Sequence, residues 1–163
     1  MDNKTDKKTS QQVSRTNPVA EHAMEVAGEL NGAVFINDSI SINVESTFRS
    51  LSMCEGKVIL LIGGIDSRND YSLLEGLVSE KVISVIAMGT DNSKIIRSFL
   101  KCGAELCEAP LQEAVELAAA KAKNGELILF SPACPSYHPF DNYKNRGNDF
   151  KRIVNSLIKK GKA

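Results

Sequence analysis

The 163-residue sequence predicts a three-layer α/β sandwich, with a mostly parallel sheet between two helical layers and an N-terminal β-hairpin. Three observations predict it. The apolar runs at 58–62, 82–88 and 127–130 are continuous rather than alternating, as in central parallel strands covered on both faces. Helical periodicity follows each run, and strands and helices alternating at this spacing build a parallel sheet. Asn31-Gly32, set between M-E-V-A-G-E-L and A-V-F-I-N-D, favours a two-residue hairpin turn because both positions tolerate positive φ.

Taken in order, residues 1–17 are rich in Lys, Ser and Gln and nearly free of apolar side chains. They are expected to form a disordered tail, with one folded domain over 18–163. After the hairpin, Asn43 can cap a helix that carries Val44, Phe48 and Leu51 on one face. Asp91 can cap another with Ile95, Ile96, Phe99 and Leu100, and Gly103 can stop it. The run at 104–107 is a weaker strand candidate. Pro110 suits a first helical turn before Leu111, Val115, Ala118 and Ala122. A last helix carries Phe150, Ile153, Val154, Leu157 and Ile158, with Arg146-Gly147 placed ahead of it.

Composition excludes several classes of function. Twenty basic residues balance twenty acidic ones, so no global field draws the chain to nucleic acid or to an anionic membrane. The longest apolar run, V-I-L-L-I, is far too short to span a bilayer, and the first residues lack the apolar stretch of a signal peptide. A cytoplasmic location is expected, with neither nucleic acid nor membrane as partner. Cys54, Cys102, Cys107 and Cys134 form no C-x-x-C pair and read as reduced structural thiols. His22 and His138 are too scattered to hold a metal.

In an open α/β sheet, ligands sit at the carboxyl ends of the strands. Three loops fall there: N-D-S-I-S-I-N at 37–43, G-G-I-D-S-R-N-D-Y at 63–71, and S-P-A-C-P-S-Y-H-P-F-D-N-Y at 131–143. Gly63-Gly64 meets neither dinucleotide nor P-loop spacing, so a tight turn weighs as heavily as a ligand cradle. Asp66, Arg68 and Asp70 are candidate ligand groups, although loop charges are more often simply solvated. Ser131 and Ser136 lack the context of a nucleophile. Ser136 suits hydrogen bonding to a carboxylate, and His138 suits packing or surface exposure better than general-base work. Arg146 reads as a structural hydrogen-bonding arginine.

Together these loops resemble the C-terminal domain of the Mur ligase family, most of all its D-glutamate-adding members. The likeness covers about residues 20–160. It rests on E-H-A-M-E-V with N-G-A-V-F-I-N-D-S, on G-G-I-D-S-R-N-D-Y-S, and on L-F-S-P-A-C-P-S-Y with F-D-N-Y-K-N-R-G-N-D-F. The resemblance implies a Rossmann-like domain that supplies the amino-acid site of an ATP-dependent ligase in peptidoglycan synthesis. In such a ligase a central domain holds ATP and magnesium, and a first domain holds the UDP-linked precursor. Neither lies within these 163 residues, so inactivity in isolation is expected, with no cofactor bound by this chain alone.

The resemblance also assigns residues. Ser136 and Tyr143 match positions that contact the amino-acid substrate, and Arg68 stands beside the second-loop position where the family has a lysine. Asn37 and Asp38 match the start of the first loop, where the acid contacts ATP. Other positions depart. The family pattern I-N-D-S-K-A-T-N becomes I-N-D-S-I-S-I-N, so Ile40 replaces a lysine and Ile42 a threonine. Ala23 stands where the family's hinge has an arginine, and Ser67 where it has the second-loop lysine. Losing one charged partner of a desolvated pair costs about 2–5 kcal/mol of binding. Two readings follow: a ligase C-terminal domain working only in full-length context, and a non-catalytic relative used for binding or regulation. D-glutamate, or a protein partner meeting the 37–43 loop, is the expected ligand.

Overall fold

The computed structural model describes residues 20–65, 68–136 and 140–161. The expected tail at 1–17, Ser67 and His138 lie outside the described residues. Along the chain come β1 (Glu25–Leu30), β2 (Ala33–Asn37), α1 (Val44–Met53), β3 (Val58–Ile62), α2 (Ser72–Lys81) and β4 (Val82–Ala87). They are followed by α3 (Ser93–Phe99), β5 (Glu105–Glu108), α4 (Leu111–Lys121), β6 (Leu127–Phe130) and α5 (Tyr143–Gly161). The six strands form one sheet in the order β1-β2-β6-β3-β4-β5. Only β1 runs antiparallel to its neighbour; the other four pairings are parallel. The α/β sandwich with its opening hairpin is the predicted one.

Local chemistry accounts for most of these boundaries. Asn31 (φ 53°) and Gly32 (φ 80°) both sit in the left-handed region and bring Leu30 opposite Ala33, the geometry that Asn-Gly favours. Side chains on a strand alternate between faces, so the continuous run V-I-L-L-I feeds two cores at once. Val58, Leu60 and Ile62 meet Leu51, Leu74, Val78 and Phe99 beneath α1, α2 and α3. Ile59 and Leu61 meet Val115, Phe150 and Val154 beneath α4 and α5. Asn43 caps α1 by accepting the Ser46 N–H at 2.8 Å. Asn92, not Asp91, occupies the cap position of α3, while Asp91 accepts the Ser93 N–H in the turn ahead of it. Pro110 stands one residue before α4 rather than in its first turn. The weak strand is β5, one residue later than the run that suggested it.

The main departure is α5. It begins at Tyr143, so Arg146 and Gly147 lie inside the helix instead of preceding it. Asn142 supplies the start, its side chain accepting the Asn145 N–H at 3.0 Å. The glycine is there because α5 presses on the first loop: a Cβ at position 147 would strike Ser39 Oγ and His22 Nδ1.

Since β6 lies between β2 and β3, the loops leaving the carboxyl ends of these three parallel strands are neighbours. The crevice between β6 and β3 is the switch point at which open α/β sheets place ligands.

Candidate functional site

The three loops are stitched into one surface. The Asp38 N–H donates to Phe130 O at 2.8 Å, and the Ala133 N–H to Ser41 O at 2.9 Å. The Gly63 N–H donates to Pro132 O at 2.8 Å, and the Ile65 N–H to Pro135 O at 3.1 Å. Gly63 (φ 125°) and Gly64 serve this packing, because a Cβ on Gly64 would strike Pro135 O. The tight-turn reading of that pair accounts for what is seen.

Asp38 is the hub of the first loop and only 2% exposed. Its Oδ2 accepts the hydroxyls of Ser41 at 2.6 Å and Ser131 at 2.7 Å, and its Oδ1 accepts the Met24 N–H at 3.2 Å. Burial pushes its pKa above the ordinary carboxyl range, and the Ser41 and Ser131 hydroxyls work against that shift. Asn37, also buried, places its Nδ2 3.0 Å from His22 Nδ1 and donates to Glu25 Oε2 at 3.0 Å.

Arg146 comes from the first turns of α5 and is 2% exposed. Its guanidinium donates to Cys134 O at 3.1 Å and to Ser39 O at 3.2 Å, tying the third loop to the first. This is the structural hydrogen-bonding role read from the sequence, now with its partners. Across from it, His22 (φ 68°) and Met24 (φ 48°) hold left-handed backbone that costs roughly 1–2 kcal/mol each in non-glycine residues. Lys151 steadies this entry segment through Glu21 at 2.9 Å and Glu25 at 3.2 Å. Burial, then the Lys151 charge, keep the His22 imidazole below its ordinary pKa.

Asn37 and Tyr143 are brought together around His22, whose ring meets Tyr143 edge-on at 6.0 Å, while Asp38 turns to Met24, Ser41 and Ser131 instead. Tyr143 and Ser136 are half-buried, Arg68 is exposed and Ala23 is half-buried. Ile40 and Ile42 turn outward, 40% and 44% exposed, so the mouth of the first loop presents hydrocarbon. Sequence reasoning missed a cleft of about 320 Å³ beside the second loop, lined by Ile65, Thr90, Asp91, Ser93, Lys94 and Arg97. Its signal was the Thr-Asp-Asn-Ser turn at the carboxyl end of β4, followed by two cations.

The family implies ATP and magnesium, and the residues at the first loop do not fit them. Both Asp38 oxygens are engaged inside the fold, and the hinge position carries the methyl of Ala23. Among the described residues no group of three or more His, Cys, Asp or Glu is placed to hold a metal.

An α/β sheet of this order, with three loops on adjacent strand ends, is a Rossmann-like domain with its ligand face at the carboxyl ends of β2, β6 and β3. Over most of its length the chain matches UDP-N-acetylmuramoylalanine–D-glutamate ligases. It is 42% identical to that of Cytophaga hutchinsonii over 139 residues, covering 85% of this chain and 31% of the relative. With the Caldicellulosiruptor bescii ligase it shares 36% over 158 residues, 96% of this chain and 35% of the relative. The chain therefore spans about a third of the length of these curated relatives. No protein-family model matches it. Among solved structures, a murein peptide ligase of Psychrobacter arcticus gives a TM-score of 0.57 at 11% identity, covering 85% of this chain and 29% of the other. The bifunctional folylpolyglutamate/dihydrofolate synthase of Yersinia pestis gives 0.58 at 13%, covering 85% and 31%. These two likenesses concern the fold alone.

Proposed function

We propose that these residues form the amino-acid-substrate domain of a D-glutamate-adding ligase and that, alone, they neither turn over ATP nor form a peptide bond. The observation that carries the reading is the adjacency of the three loops at the carboxyl ends of β2, β6 and β3, in a chain 42% identical over 139 residues to such a ligase. Phosphoryl transfer rests on positioning and charge neutralisation, and the 163 residues contain no P-loop to supply either. A cytoplasmic location goes with this reading.

A second reading is favoured by one feature. With Ile40 and Ile42 exposed and Asp38 spent on internal bonds, the first loop suits a protein surface better than a dicarboxylate. In that case the domain binds or regulates without catalysis.

The test is an ATP- and D-glutamate-dependent ligation assay on the purified chain with the UDP-linked precursor, beside the Ile40→Lys/Ile42→Thr/Ser67→Lys variant. Both are expected to be inactive, and the variant to gain D-glutamate binding by roughly tenfold or more. Turnover by the unmodified chain would overturn the proposal. A folded variant without gained binding would favour the second reading.

A further inference from the structure

A second cleft, of about 480 Å³, opens on the outer surface of α2 and α3 and includes no residue of the three loops. Glu75, Gly76 and Ser79 line one wall, and Arg97, Leu100 and Lys101 line the other. Gly76 calls for an explanation. Glycine is among the least favourable residues inside a helix. Nothing within this chain requires it, since its backbone is outside the left-handed region and a Cβ built there meets no atom within 4 Å. Leu100, at the rim, is 65% exposed, and Leu73, one turn before Gly76, is 45% exposed. Two acids, Glu75 and Glu80, lie on α2, and two bases, Arg97 and Lys101, lie on or just past α3. None of the four makes an ion pair among the described residues.

We propose that this face pairs with the same face of a second copy of the chain about a two-fold axis, Leu100 of each copy entering the hollow over Gly76 of the other. A two-fold interface must be its own complement. This patch carries an apolar knob, a hollow floored by a residue without a side chain, acid from α2 and base from the α3 side, the one cation of α2, Lys81, being turned away to Leu51 O and Cys54 O. Rotation about the axis sets the acids of α2 against the bases of α3 in the other copy. A partner carrying acid alone would leave Glu75 and Glu80 facing like charge, and a basic one would do the same to Arg97 and Lys101. The leucines supply the apolar burial and the charges fix the orientation.

Sedimentation equilibrium on the full chain, from micromolar up to about 1 mM, tests this. Leu100→Glu removes the knob at an exposed position, and Gly76→Gln fills the hollow with a better helix former. The dimer fraction is expected to rise with concentration in the unmodified chain, and each variant to weaken the dimer at least tenfold. At low concentration, Gly76→Gln should also raise the melting midpoint by roughly 2–4 °C, which separates loss of pairing from loss of folding. An unmodified chain that stays monomeric throughout, or a dimer that survives either substitution unchanged, would overturn the proposal.

Discussion

At the ends of β2 and β6, the polar residues Asp38, Ser41, Ser131 and Arg146 are buried and bonded to one another's loops. Past the ends of β3 and β4, in the same sheet, Arg68 and Asp70 stand exposed, and exposed Thr90 and Asp91 line an open cleft. Both regions look alike in sequence, as short polar turns after apolar strands. The difference teaches that a motif residue can be consumed by stitching loops together, so that its presence attests a scaffold and says little about a ligand. On the stitched side, the large apolar side chains that face outward from the first loop are Ile40 and Ile42.

The strongest way to break this comparison is to cut the stitch. Arg146→Met leaves the carbonyls of Cys134 and Ser39 without their buried donor, and should cost about 2–5 kcal/mol in urea unfolding. Asp38→Ala orphans the hydroxyls of Ser41 and Ser131 and the Met24 N–H, for a loss of about 2–4 kcal/mol. Asp91→Ala, on the open side, removes only the exposed turn bonds from the Ser93 N–H and hydroxyl and should cost far less. Equal losses at Asp38 and Asp91 would erase the contrast. Gly147→Ala sharpens it further. The new methyl would be driven into Ser39 and His22, at a cost of about 1–3 kcal/mol, with the chemical-shift changes centred on the first loop.

The smallest effect is a pH dependence. His22, held low by burial and by Lys151, binds its proton less readily folded than unfolded. The stability tied to its neutral form is therefore present at neutral pH and lost as pH falls from about 6.5, the unfolded value, toward the folded one. Asp38 has the opposite sign. Raised by burial, it favours the folded state as pH falls from its raised value toward 3.8, in a more acidic window. Urea unfolding between pH 7.5 and 5.5 should show stability declining with acidity, and His22→Gln should flatten that slope.

Much of the scaffold was legible in the sequence because its signals are local. Asn-Gly gave the hairpin, Asn43 the cap of α1, and unbroken apolar runs gave β3, β4 and β6. Strand β5 was faint since it is a four-residue edge strand with exposed glutamates at both ends. The start of α5 was hidden because an inward-turned arginine and a glycine break the apolar periodicity of its first turns. At the site, the departures at Ile40, Ile42 and Ala23 could be read directly against the pattern of the family the sequence resembles. The fate of Asp38 could not, since its partner Ser131 lies 93 residues away and only the fold joins them.

The central claim is that the first loop keeps its architecture while its surface has lost the grip on an anionic amino acid. It is tested most directly by following backbone amide resonances of the unmodified chain during titration with D-glutamate. The account predicts no saturable shift at Ser136, Tyr143 or residues 37–43 up to about 10 mM. Saturation at those positions below about 1 mM would contradict it.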